Sequence, residues 1–276
     1  MSEQNSTPAP HEPSVPAPLD STGAAPSANP PPDETAAPVP GDRYAHRRAE
    51  PRPLAALWIA YLASVGLLCL GSVGFSGLMS QDIYRPVARV GLLLAGLGVG
   101  VLWPMIRLSQ EFPLAPRRSA LADLSVILPP LHAFIWPQMF GWMAAWPPRV
   151  VTVIALTLTA WGVVIGALLS LCMAKGREIE LGGKIAPRSR WLLGFLALNM
   201  AGPLVALWRL PNDSSSSLAL LLSPASASME LGADRSWTGT SAATLPEHRW
   251  ALWGVAGAGV ALWLAGASVA RRREVA

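Results

Sequence analysis

SALADLSVILPPLHAFIWPQMFGWMAAWPPR, residues 119–149, decides how this chain is read. From Ser119 to Trp146 it is long and apolar enough to cross a bilayer, which takes about 20 helical residues. It is also interrupted. Asp123, His132 and Gln138 are polar, Pro129 and Pro130 stand side by side near its middle, and Pro147–Pro148 close it. A proline inside a helix removes a donor and crowds the carbonyl four residues back. In hydrocarbon, backbone freed in this way needs partners inside the protein or beside a water-lined cavity. The segment is therefore expected to break at Pro129–Pro130 and to sit among other helices, away from lipid.

The rest of the chain supplies those helices. Of 276 residues 51% are apolar and 14% charged, and the apolar ones fall in blocks at about 54–79, 87–106, 119–146, 150–174, 191–210 and 250–270, with a long connection at 211–249. The fold class that follows is all-α, a polytopic bundle of six transmembrane helices within a membrane domain at 43–276. Six crossings put both termini on one side. With the N-terminus cytoplasmic, inner segments hold 15 Lys and Arg and outer segments 6, the direction the positive-inside rule requires. The net charge of +4 thus reports topology, not a nucleic-acid partner. Arginine outnumbers lysine 19 to 2 and Ala, Pro, Gly and Leu dominate, a bias that points to a bacterial inner membrane. Trp103 and Trp191 fall at expected inner boundaries, and Trp142, Trp146, Trp208 and Trp250 at outer ones, as an aromatic belt would have them.

Residues 1–42 are rich in Pro, Ala, Ser and Thr, with six acidic residues and no Lys or Arg. Such a stretch buries too little apolar surface to offset its ordering entropy, so a disordered cytoplasmic tail is expected. Small residues recur four apart at Gly96/Gly100, Gly162/Gly166 and Gly254/Ala258, a spacing that lets helix backbones approach closely in lipid. The loop KGREIELGGKIAPRSR, Lys175–Arg190, reads as a solvated connection broken at Gly182–Gly183 and Pro187. In the outer connection, Leu218–Leu231 is apolar at first, contains Leu222, Ser223 and Pro224, and is too short to span. It reads as an interfacial or re-entrant segment.

Ionisable groups at membrane depth are costly, so each is a candidate site. Asp123 is either a boundary carboxylate paired with Arg117 or Arg118 or part of a proton or cation path. His132 is either a neutral imidazole bonded to freed carbonyls or a haem or metal ligand, for which His248 is the other histidine near the membrane. Gln138 in the third block, and Asn199 and Pro203 in the fifth, are polar or hinge candidates. Cys69 and Cys172 lie in apolar blocks without a Cys or His at ligand spacing, so no metal site or cofactor is expected from them. The chain has no CxxC, HExxH, GxxxxGK[ST] or GxSxG motif, which argues against an enzyme in this chain.

Six helices with both ends inside, the segment LLLSPASASMELG (220–232), and a last block HRWALWGVAGAGVALWLAGASVARRR (248–273) together resemble the ABC-2-type permease subunits of ABC transporters. The resemblance implies a transport-type subunit that pairs with a second copy and with a separate ATPase. It also implies a coupling loop at about Leu108–Arg118 and an outer re-entrant segment that gates the path. The alternatives are a non-catalytic scaffold or assembly subunit among other membrane subunits, and a haem- or redox-handling membrane protein using His132. Lipid is a partner under all three.

Overall fold

The computed structural model describes residues 51–74, 81–209, 219–234 and 242–275. The expected tail at 1–42 lies outside these residues, as do 211–218 and 235–241 of the 211–249 connection. Helix α1 runs Pro51–Gly74, its two prolines in the first turn where a missing N–H costs nothing. The second span is α2, Gln81–Leu97, a π-helical turn at Gly98–Leu102, and α3, Trp103–Ser109. Helix α4 spans Pro116–Ile135 and tightens into a 3-10 turn at Trp136–Met139, α5 spans Pro148–Leu181, and α6 spans Arg188–Arg209. A short helix α7, Pro224–Leu231, precedes α8, Pro246–Val275. Among the described residues six helices are long and apolar enough to cross a membrane, and there is no strand. This is the architecture of a multi-pass membrane protein.

Helix α5 is the longest at 34 residues and the most enclosed of the six. It packs on α4, α7 and α8, while α1 packs on α2 and α4, and α6 leans on the π turn, α3 and α7. Two of the three small-residue pairs lie at such contacts. A Cβ on Gly96 would come 2.6 Å from the Pro224 carbonyl, and one on Gly166 would come 3.0 Å from the Trp103 ring. The third pair is used differently from its spacing: Gly254 faces open space, and Gly259 and Gly266 meet α5 instead.

The expected break at Pro129–Pro130 does not occur. Both prolines lie inside a continuous α4. They cannot donate to the carbonyls of Ser125 and Val126, but the Trp58 indole of α1 donates to the adjacent Ile127 carbonyl at 2.9 Å. Ile127, Leu131 and Ile135 are also fully buried on that face, so packing holds the helix through the defect. The chain turns later, at Trp136–Trp146, where Pro137 opens a 3-10 turn and Ala145 takes a positive φ of 50°. The third helix therefore does not reach Trp146. Helix α5 runs past the expected limit of residue 174 to Leu181, turning the first part of the charged loop into helix, and ends before Gly183 at φ 72°.

The short connection between α3 and α4 is not helical and is held from two sides. Arg188 donates to the carbonyls of Leu108 (2.9 Å) and Gln110 (2.8 Å), and to Glu180 (2.8 Å). Its guanidinium lies 4.3 Å from the Phe112 ring centre. Arg177 donates to the Leu114 carbonyl at 2.6 Å. The region 108–118 thus carries no separate coupling helix. Trp103 and Trp146 are fully buried and belong to the core, whereas Trp142, Trp208 and Trp250 are exposed, as a belt requires.

Candidate functional site

The fifth span supplies the first part of the site. Pro203 lies inside α6 and has no N–H for the carbonyl four residues back, that of Asn199. Asn199 is 11 residues from the start of a 22-residue helix, about 16 Å in by helix rise, near mid-span. The freed carbonyl does not go unmet: the Ser223 hydroxyl donates to it at 2.6 Å. Ser223 also caps α7, accepting from the Ser226 N–H at 3.5 Å, with Pro224 at the first helical position, the preferred order for a helix start. Three residues singled out separately in the sequence, Asn199, Pro203 and Ser223, are thus one arrangement. Leu222 precedes the cap in a turn and is exposed.

Glycines make the seat for α7. Besides the Gly96 contact, a Cβ on Gly202 would come 2.5 Å from the Ser226 hydroxyl, which donates to the Leu220 carbonyl at 2.6 Å. The Asn199 carboxamide lies directly against Gly100, in the π turn, where no Cβ fits. Pro104 follows this turn and cannot donate to the Gly100 carbonyl, a common cause of such irregularity. Asn199 Nδ2 donates to the Phe195 carbonyl at 2.9 Å, which fixes the amide so that Oδ1 points at the π turn. That oxygen is wholly buried and accepts no hydrogen bond among the described residues. A short helix, a proline-opened span and a π turn therefore meet at mid-span around one buried acceptor.

The far end of α7 is polar as well. Glu230 lies 3.8 Å from His248 Nε2, both buried, and His248 Nδ1 accepts from the Leu245 N–H at 3.3 Å. This joins the end of α7 to the first turn of α8.

Asp123 and His132 belong elsewhere. Asp123 pairs with Arg107, not with Arg117 or Arg118. Arg107 Nε donates to Asp123 Oδ2 at 2.5 Å and Nη2 to Oδ1, the Trp103 indole donates to Oδ2 at 3.0 Å, and Gln110 accepts from Arg107 Nη1 at 2.7 Å. Arg117 instead donates to the Trp263 carbonyl at 3.0 Å. His132 lies on the opposite face of α4, as nine residues of unbroken helix dictate. Its Nδ1 accepts from the Trp136 indole at 3.1 Å, so Nε2 carries the proton toward Thr159 Oγ1 at 2.9 Å, which itself donates to the Ala155 carbonyl at 2.8 Å. With both ring nitrogens engaged, and with His248 facing Glu230, the two histidines do not fit an axial haem pair. No group of three or more His, Cys, Asp or Glu among the described residues is placed to hold a metal ion. Gln138 is buried and donates to the Phe134 carbonyl at 3.3 Å.

Arg107, Gln110, Thr159 and Glu230 escape a reading that takes one block at a time. Only the first two left a trace: Trp103, Arg107 and Gln110 are spaced four and three apart, which places them on one helical face. No protein-family model, curated protein or solved structure matches the chain.

Proposed function

We propose that this multi-pass membrane protein is a transport-type subunit in which α7 is the gating element and Asn199 the residue it covers. The Ser223 bond to the carbonyl opened by Pro203 carries this reading. Non-helical backbone at membrane depth is tolerated only inside protein or beside a cavity, and π turns recur at functional positions. A bundle built for rigidity alone gains nothing from a buried acceptor without a donor, which costs about 1–3 kcal/mol. Withdrawal of α7 frees the Asn199 carbonyl from Ser223, next to the buried Oδ1 of the same residue, which faces the π turn. That chemistry suits a cation or a cargo bearing hydrogen-bond donors. The resemblance to ABC-2 permeases supplies the same role for this segment and adds a separate ATPase as the energy source. The clamped 110–115 connection leaves the remaining surface of that end, not a coupling helix, as the place for it.

The test is accessibility. Ser226→Cys, with Cys69 and Cys172 replaced by Ala, is reacted in membrane vesicles with a membrane-impermeant thiol reagent. Gating predicts slow labelling that accelerates when the native partners and ATP are supplied. No labelling under any condition makes α7 a fixed part of the bundle.

The second reading, a scaffold subunit, draws on the Arg107–Asp123 and His132–Thr159 contacts, in which intramembrane polar groups are satisfied within the chain. Under it, purification in mild detergent brings down other polytopic subunits and no nucleotide-binding chain.

A further inference from the structure

Helix α6 leaves two apolar grooves open along its sides. One, of about 330 Å³, lies between α5 and α6 and is lined by Leu168, Cys172, Trp191, Gly194, Phe195 and Leu198, with Arg190 at its mouth. The other, of about 340 Å³, lies between α6 and the second span and opens beside Ser189. The α5–α6 groove is floored by Gly194, whose Cα has nothing within 4 Å of where a Cβ would stand. Its lining runs from Arg190 to Leu198, eight residues or about 12 Å of depth.

Arg190 is the only cation in the lining of this groove, and three other cations at the same end are engaged elsewhere. Lys175 pairs with Glu178 at 3.2 Å, Arg177 donates to the Leu114 carbonyl, and Arg188 is divided among Glu180 and two carbonyls. Arg190 is exposed and its side chain has no acceptor among the described residues. Trp191, beside it, is partly buried against the core. An arginine at the mouth, an indole at the rim and an apolar trough descending toward mid-span reproduce the layout of a phospholipid: charge, interface, chain.

We infer that the α5–α6 groove is a binding site for an anionic phospholipid. One acyl chain lies along Gly194 and Leu168, and the phosphate is held by the Arg190 guanidinium. Basic pockets between membrane helices select acidic headgroups because the arginine pairs with the phosphate, which in phosphatidylcholine is already offset by the headgroup's own ammonium. A soluble anion lacks the chain that fills the trough, so the ligand comes from the bilayer. The groove reaches Phe195 and Leu198, next to Asn199 on α6, but the proposal does not depend on the role of α7.

Native mass spectrometry of the full chain in detergent tests this, with phosphatidylglycerol and phosphatidylcholine of identical acyl chains as probes and inorganic phosphate alone as the third arm. Phosphatidylglycerol is expected to be retained roughly fivefold over phosphatidylcholine, the effect of one basic group near a headgroup. Arg190→Gln brings that ratio to about one, while Lys184→Gln, at an exposed residue outside the groove lining, leaves it. Gly194→Phe fills the trough and lowers retention of both lipids, and its thermal midpoint reports that the bundle is intact. Equal retention by the native chain, or an unchanged ratio in Arg190→Gln, overturns the site. Binding of phosphate alone with no effect of Gly194→Phe overturns the acyl groove.

Discussion

Removing one charge from the Arg107–Asp123 pair is the severest single test of the packing described above. Asp123→Asn keeps the shape of the side chain and an acceptor for the Trp103 indole, but leaves the Arg107 guanidinium without its counter-ion. The two side chains are 1% and 0% exposed, so water cannot take over that role. Breaking a buried pair from one side costs about 3–5 kcal/mol, a large share of the roughly 5–15 kcal/mol that holds a typical domain. At about 2–4 °C per kcal/mol for a chain of this size, the thermal midpoint in detergent should fall by roughly 10–15 °C. Arg107→Met is expected to do the same. The double variant Arg107→Met/Asp123→Leu removes both charges and should recover most of the loss, because apolar replacement of a whole buried pair is often neutral or stabilising. Midpoints within about 2 °C of the native chain for the single variants would refute the reasoning, as would a double variant that simply adds the two losses.

The remaining predictions concern the seat of α7 and the two ends of the bundle. Gly100→Val forces the Asn199 carboxamide aside and should cost about 1–3 kcal/mol in detergent unfolding, whereas Gly254→Val, in open space, should change stability by less than about 0.5 kcal/mol. Ser223→Ala removes both the cap and the bond to the Asn199 carbonyl. A loss of about 1–2 kcal/mol is expected, together with faster labelling of a cysteine at 226. His132→Leu leaves Thr159 bonded to the Ala155 carbonyl, so it should fold with a midpoint near that of the native chain and leave that labelling unchanged. Arg188→Ala releases the 110–115 connection and should accelerate tryptic cleavage at Arg117 and Arg118, followed on a gel. A reporter fused after Ala276 should be active only in the cytosol if positive charges set the orientation.

Much of the architecture was legible because bilayer length and hydropathy leave few choices: all six blocks correspond to helices. The ends were less so. Helix α5 runs seven residues past its apolar limit because a charged stretch outside lipid can remain helical. Pro129–Pro130 misled because α4 is held straight by packing on α1, including the bond from Trp58 to the Ile127 carbonyl, contacts about 70 residues apart and invisible to a local reading. The partner of Asp123 was misplaced for a related reason. Arg117 and Arg118 are near in sequence, but Arg107 shares a face with Trp103 and Gln110 that turns toward α4. At the α7 seat the polar residues were visible one by one. Their union was not, since it depends on which carbonyl a proline frees and on a hydroxyl 24 residues away.

The central position of α5 has a consequence for how the chain is made. Three spans leave the ribosome before it, and α4 emerges with His132 facing a partner, Thr159, that has not yet been synthesised. Until then the first three helices hold Asp123 against Arg107 but lack the column around which the rest gathers. Ribosome stalling or truncation before residue 148 should therefore yield a fragment that inserts yet stays loosely assembled, prone to removal by membrane quality control. Release a few dozen residues later, with α5 in place, should yield one that persists.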